Sequence, residues 1–332
     1  MRTFCCKLAA FALLQLLMFA VLLRHYDVSR ETNYLAATAD KHRRLAHTPS
    51  PRLIILGGSN VPFGIQSDRL EQALSRPVVN MGLVAGAGLD FMLREIKPSL
   101  RRGDLVLLSL EYDQFGGGYD PNILRQLIVF RPANACYLQP KHFKKLVLDR
   151  GLITVGEIAR RSVAASVARF TSQGSAPTLS LPRRGFNEWG DLRAHYGQPR
   201  RIALEDLEHV RLVPPRRAWP NPEVPTVLER FARNCHERGV LFAFTFPPQP
   251  PQSLRDYHDA VSRIERSLRA IPHLLVVDSP QVQVYDPALF FDTGYHLTGP
   301  GATLRTDRLI KALRPVCENG GPMPPAVSQD GR

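Results

Sequence analysis

Cysteine, tryptophan and acidic charge are all scarce in this chain. Five cysteines and two tryptophans occur in 332 residues. Cys5 and Cys6 lie at an apolar N-terminal stretch, which leaves Cys136, Cys235 and Cys317, enough for at most one internal disulfide. No Cys-x-x-Cys and no Cys/His spacing of a metal site is present, so neither metal nor cofactor is expected. Gly57-Gly58 and Gly86-Ala87-Gly88 do not space as Gly-x-Gly-x-x-Gly or as a Walker loop, which argues against a nucleotide binder. Thirty Asp and Glu face 43 Lys and Arg, a net charge of +13. The arginines are scattered and no nucleic-acid motif accompanies them, so nucleic acid is not an expected partner. Anionic lipid or an acidic polysaccharide suits such a surface better. No internal repeat is visible.

The N-terminus departs from globular composition. Leu8 to Leu23 carries no charge and one Gln, between Arg2 and Lys7 on one side and Arg24 and His25 on the other. At about 1.5 Å per residue a helix of this length covers roughly 24 Å, a little short of a bilayer core of about 30 Å, and the flanking apolar residues extend it. No small-x-small site follows directly. The reading is therefore an uncleaved signal anchor over residues 1–27, with a cleaved signal peptide and a buried helix as the alternatives. It places the chain in the inner (plasma) membrane as a single-pass protein, with the soluble part in the periplasm.

Residues 28–51 are polar, end in Lys41-His42-Arg43-Arg44, and read as a stalk. An α/β pattern follows over 52–129. Strands are expected at Leu53 to Leu56, Val78 to Met81 and Leu105 to Leu110, and helices at Asp68 to Leu74 and Leu89 to Leu100. Residues 130–225 break the pattern with scattered prolines, a helical candidate at 152–170 and a Ser/Pro-rich patch at 171–182. This stretch reads as an inserted cap. The pattern resumes over 226–316, with helices at Thr226 to Arg238, Leu254 to Ala270 and Ala302 to Leu313 and strands at Val240 to Phe246 and Leu274 to Val277. Residues 317–332 read as a disordered tail. Continuous apolar strands alternating with helices predict a three-layer α/β/α sandwich around a mainly parallel five-stranded sheet. Ser59, Gly82, Glu111, Pro247 and Asp292 then fall along one rim of that sheet.

Two motifs on this frame carry chemistry. Gly57-Gly58-Ser59-Asn60 directly follows the first strand, and a serine on such a turn stands clear of the backbone in front of helical N–H groups. Asp292-Thr293-Gly294-Tyr295-His296-Leu297-Thr298 precedes a helix opened by Gly299-Pro300-Gly301. A carboxylate close to an imidazole orients it and stabilises its protonated form, so serine, histidine and aspartate together supply nucleophile, base and orienting partner.

Ser59 in the first block, Asn80-Met81-Gly82 in the second and Asp292 to His296 with Leu297, Thr298 and Gly301 in the last resemble the SGNH hydrolase superfamily, also called GDSL-like. The likeness covers about Leu53 to Tyr112 and Val240 to Leu313. It implies a flavodoxin-like SGNH fold with Ser59 as nucleophile, His296 as general base and Asp292 as its partner. The N–H groups of Ser59 and Gly82 are implied as oxyanion donors. Three positions depart from the family pattern: Gly58 stands for the usual Asp, Asp292 lies four rather than three residues before His296, and Glu111 stands where an Asn donor is usual. Tyr112 and Asn187 are candidate replacements for that donor, Trp189 is a candidate sugar-stacking residue, and Asn80 and Glu111 are further candidate contacts. The expected activity is that of a serine esterase or O-acyltransferase on acyl esters of a cell-envelope or secreted polysaccharide. Membrane-tethered SGNH domains of teichoic-acid and alginate acylation are similar in arrangement. The alternative is a catalytically silent accessory protein that binds glycan or scaffolds envelope-complex partner proteins.

Overall fold

A computed structural model describes residues 33–140, 142, 181–208 and 220–318, together with scattered positions before residue 18. Most of the apolar run at 8–23, the helical candidate at 152–170, nearly all of the 171–182 patch and the tail beyond 318 lie outside the described residues. No described helix is long and apolar enough to cross a membrane.

Five strands form one all-parallel sheet: β1 (Leu53–Gly57), β2 (Val78–Asn80), β3 (Leu105–Ser109), β4 (Leu241–Phe244) and β5 (Leu274–Val276), in the order β2-β1-β3-β4-β5. Leu53 is in register with Val78 on one side and Leu105 on the other, and Leu105 with Leu241, so the carboxyl ends of the strands share one edge. Each strand is a run of apolar residues because helices cover both faces, as parallel sheets require. Ile54, Leu56, Val106, Leu108, Phe242 and Phe244 enter one core, while Leu53, Ile55, Leu105, Leu107 and Ala243 enter the other. This is the two-residue alternation of strand side chains.

The main helices are α1 (Thr38–His47), α2 (Asn60–Gly64), α3 (Ser67–Leu74), α4 (Leu89–Ile96), α5 (Pro121–Phe130), α6 (Glu223–Glu237), α7 (His258–Arg269) and α8 (Gly299–Glu318). Side chains of α1, α4, α5, α6 and α7 join the first core; those of α2, α3 and α8 join the second. The expected helix at Leu89 to Leu100 ends at Ile96 and continues as a tighter turn through Lys97–Ser99, where Pro98 brings no N–H. The expected helix at Leu254 to Ala270 is interrupted at Tyr257.

The segment expected as a stalk is part of the domain instead. Leu35, Ala36, Ala37 and Leu45 are buried in the first core. The polar residues of α1 are anchored by distant partners: Lys41 Nζ donates to the carbonyls of Asn80 at 2.9 Å and Gly190 at 2.6 Å, and Arg44 Nε donates to the Val78 carbonyl at 2.9 Å. His42 lies 3.3 Å from Glu95 of α4, and Asn134 donates to the Thr38 hydroxyl at 3.1 Å. Burial pushes the Lys41 ammonium down to about 7 against the opposing pull of Asp191, Glu95 and Asp40.

The stretch expected as a cap is, in its described part at 181–208, docked against the β2 edge and the back of the C-terminal loop. Asn80 N–H donates to the Trp189 carbonyl at 2.9 Å, Leu192 N–H to the Pro62 carbonyl at 2.9 Å, and Arg201 N–H to the Phe291 carbonyl at 2.7 Å.

These contacts make α1 a measurable contributor to stability. Leu45→Ala should lower the free energy of unfolding by about 2–5 kcal/mol, as a buried Leu truncation does, whereas Arg43→Ala on the exposed face should stay within about 0.5 kcal/mol. Urea unfolding of the two variants separates a packed helix from a detached stalk.

Candidate active site

Three sequence-distant groups meet at the carboxyl edge of the sheet. His296 Nε2 lies 2.8 Å from Ser59 Oγ, and His296 Nδ1 lies 2.7 Å from Asp292 Oδ1. Ser59, His296 and Asp292 are all partly exposed, so a ligand can reach them. The ring of Phe63, one turn beyond the serine, stacks on the His296 imidazole with centroids 3.8 Å apart and planes 6° apart, which fixes the ring's tilt.

The serine is positioned by the residue behind it. Asn60 opens α2, and nearly every polar atom it has is engaged. Its Nδ2 donates to the Ser109 carbonyl at 3.1 Å, and its Oδ1 accepts from Ser109 Oγ at 3.0 Å and Arg305 Nη2 at 3.2 Å. Its carbonyl accepts from Arg305 Nη1 at 2.7 Å. Arg305 is fully buried, yet remains a cation at neutral pH: burial pushes its guanidinium only down to about 10, with Tyr285, Asp278 and Glu111 opposing. Gly57 allows the close approach of β1 and β3 here, since a Cβ on it would sit 2.2 Å from the Ser109 carbonyl oxygen.

The Asp292–His296 loop is a closed turn. Phe290 and Leu297 form an antiparallel bridge, Phe291 N–H donates to the His296 carbonyl at 2.8 Å, and Thr293 Oγ1 accepts from the N–H groups of Tyr295 and His296, each at 3.2 Å. The turn returns on itself within four residues. That brings Asp292 beside His296 despite the longer spacing.

Glu111 joins the same cluster. Its Oε1 lies 3.0 Å from Ser59 Oγ and accepts from the Asn60 N–H at 2.9 Å. Gly58 makes room for it: a Cβ there would meet Oε1 at 2.6 Å and displace the carboxylate.

The remaining expected residues serve the scaffold. The Gly82 N–H, expected as an oxyanion donor, already donates to Asn80 Oδ1 at 3.1 Å, and a Cβ at Gly82 would collide with Val61 at 2.4 Å. Asn80 Nδ2 and Asn187 Nδ2 both donate to the buried carboxylate of Asp191, at 2.9 and 3.2 Å. The Trp189 indole donates to Glu71 at 3.0 Å and lies beside Arg44, so it is not poised for a sugar at the serine. Tyr112 is buried, its N–H donating to Tyr295 Oη at 2.9 Å. Phe63 and Arg305 are contributors that motif reading misses, and Asn60 enters it only as a member of the serine turn. The Phe63 position, four residues after the serine on the same short helix, was the one available signal.

His195 borders the site. Its ring lies 4.8 Å from that of Phe63 and its Nε2 is 2.9 Å from the Leu297 carbonyl. Burial holds it down at about 4, against the bond to Leu297. Among the described residues no His/Cys/Asp/Glu cluster could hold a metal, and Cys136, Cys235 and Cys317 are free thiols.

The depressed His195 value has a definite sign. The unfolded chain binds a proton below about 6.5 that the folded chain refuses until about 4, so stability is present above the unfolded value and declines as pH falls through this window. Urea unfolding at both ends of the window should show an acid-side loss of up to about 3 kcal/mol that His195→Gln, which cannot charge, reduces. Comparison with protein-family models and with curated proteins finds no match to this chain.

Proposed function

We propose that this chain is a serine esterase or O-acyltransferase of SGNH type. The observation that carries the reading is the continuous hydrogen-bonded path from Ser59 through His296 to Asp292, 2.8 and 2.7 Å long, at the carboxyl edge of a parallel sheet. The sheet order β2-β1-β3-β4-β5 suits a flavodoxin-like three-layer domain.

In this reading Ser59 Oγ attacks the carbonyl carbon of an acyl ester while its proton passes to His296 Nε2. Asp292 keeps the Nδ1 proton in place and stabilises the imidazolium that forms. The leaving alcohol takes the proton from Nε2, and an acyl-serine remains. Water or a sugar hydroxyl, deprotonated in turn by His296, then releases the acyl group; the first outcome is hydrolysis and the second transfer. In this reading the Ser59 N–H, at the turn into α2, donates to the developing oxyanion.

The substrate class follows from placement and charge. An apolar N-terminal anchor in the plasma membrane and a net charge of +13 suit acyl esters of an anionic cell-envelope or secreted polysaccharide, handled on the periplasmic side, with envelope proteins as partners. The competing reading is a silent accessory protein that binds glycan. The carboxylate of Glu111 beside the serine favours it, because an ionised acceptor cannot donate to an oxyanion.

A fluorophosphonate probe applied to the full-length protein in membranes decides between the two. Ser59 should be labelled, with labelling abolished in Ser59→Ala, and short-chain ester turnover should fall by about 10⁴-fold or more in Ser59→Ala and His296→Ala. A folded wild type that neither labels nor hydrolyses acetyl esters would establish the accessory reading instead.

A further inference from the structure

Ser59 has a single hydroxyl proton and two neighbours able to accept it, His296 Nε2 at 2.8 Å and Glu111 Oε1 at 3.0 Å. With a neutral imidazole and an ionised Glu111, one of the two contacts sets lone pair against lone pair. If the hydroxyl points at His296, its oxygen faces a carboxylate oxygen; if it points at Glu111, it faces a bare ring nitrogen. A second proton removes the conflict, and it has two places to sit. On Nε2 it lets His296 donate to Ser59 and Ser59 donate to Glu111. On Oε1 it lets Glu111 donate to Ser59 and Ser59 donate to His296. The two states hold the same protons and differ by moving two of them along one chain.

The surroundings select between these states. Oε1 also accepts from Asn60 N–H at 2.9 Å and from Asn60 Nδ2 at 3.5 Å, and the Glu111 side chain accepts the N–H of Gln114. Donors converging in this way match an oxygen that accepts, the arrangement in which His296 donates to Ser59 and Ser59 donates to Glu111. Other charged and titratable groups face Glu111 from each neighbouring element. Arg305 comes from α8, Tyr295 from the C-terminal loop, Tyr34 from the segment before α1, and Asp113 from the turn after β3.

Building on the esterase reading above, we propose that Glu111 is a catalytic residue that shares a second proton with His296 through the Ser59 hydroxyl and, in its acid form, donates to the oxyanion. Moving the shared proton onto Glu111 leaves His296 neutral and the Ser59 hydroxyl directed at it. The Ser59 Oγ–carbon bond then forms as the hydroxyl proton passes to Nε2. The carbonyl π pair moves onto its oxygen, which accepts from the Glu111 O–H. The bond to the leaving alcohol breaks, the alcohol departs with the proton from Nε2, and Glu111 keeps its own. This supplies a donor that Gly82, with its N–H committed to Asn80, does not offer. Loss of the shared proton at high pH leaves a carboxylate against the forming oxyanion, so activity falls on the alkaline side. A three-member triad fails instead on the acid side, where its base is protonated.

The test measures fluorophosphonate labelling rates of the full-length protein in detergent micelles from about pH 5 to 9, a range that spans the ordinary histidine value. Wild type should slow by about tenfold or more toward the alkaline end, the loss expected for one oxyanion donor. Glu111→Gln, whose amide is a donor at every pH, should lack that decline and label faster than wild type at the alkaline end. Glu111→Ala should label slowly throughout, and Asp113→Asn should retain the wild-type decline. In parallel, ¹⁵N spectra of selectively labelled histidines should show His296 keeping its Nε2 proton to higher pH in wild type than in Glu111→Gln. Superimposable pH profiles for wild type and Glu111→Gln, or His296 spectra that titrate together in the two proteins, would overturn the proposal. Absence of labelling in every protein at every pH would overturn the esterase reading, while the histidine spectra would still decide whether the second proton is shared.

Discussion

The position of Ser59 rests on one buried guanidinium. Arg305 on α8 reaches the Asn60 carbonyl, the Asn60 side chain and Ser109 Oγ, and so joins the C-terminal helix to the turn after β1 and to the end of β3. His296 stands shortly before the start of the same helix. The grip on Asn60 therefore fixes both ends of a pair separated by 237 residues in the chain. A buried cation is costly to desolvate unless its donors find acceptors; here carbonyl and hydroxyl oxygens accept four bonds from Nη1 and Nη2, with Asp278 near by as counter-charge, while Nε has no partner among the described residues. Removing the guanidinium would leave the acceptors on Asn60 and Ser109 without their donor in a closed space, at the place where the serine's backbone is set.

A second buried ion organises the opposite flank. Asp191 accepts the Ser67 N–H at 2.8 Å, the Ser67 hydroxyl at 2.5 Å and the amides of Asn80 and Asn187, and Arg193 lies 3.4 Å away. It stitches residues 186–193 to the start of α3 and the end of β2. Lys41 completes this arrangement from α1 through the carbonyls of Asn80 and Gly190. The segments before and between the two halves of the α/β pattern are thus held, beside the apolar contacts of Leu35, Leu45 and Leu192, by polar and ionic groups that accept or donate several bonds each.

That difference explains what the sequence discloses and what it hides. The strands are legible because helices on both faces call for continuous apolar runs, as Leu53 to Leu56 and Leu105 to Leu108 are. Ser59, Asp292 and His296 are legible because their chemistry demands rare residue types in short motifs. Helix α1 is hidden because Lys41, His42 and Arg44 look solvated, and their partners at Asn80, Gly190, Glu95 and Val78 lie 34 to 149 residues away or on another helix. Asn187 and Trp189 mislead for the converse reason. Polar and aromatic residues crowded together look like a binding site, but their donors go to Asp191 and Glu71, which only the fold brings near. Glu111 announces itself as a departure from the family pattern, while its distance to Ser59 depends on Gly58, a residue whose significance lies in the side chain it lacks.

The three side chains of the cluster differ in how firmly each is held. Ser59 is fixed through Asn60, and His296 is fixed by the face of Phe63 and by the bridge between Phe290 and Leu297, behind which His195 meets the Leu297 carbonyl. Asp292 is more exposed than Glu111, and its carboxylate lies 2.7 Å from His296 Nδ1. Glu111, by contrast, is buried and held by backbone and amide donors. A partly solvated Asp292 can adjust with the ring it orients, whereas Glu111 cannot withdraw from the serine without leaving the Asn60 N–H unpaired. Ser59 is therefore constrained more tightly from the Glu111 side than from the Asp292 side, and a ligand that reaches the hydroxyl meets that carboxyl in place.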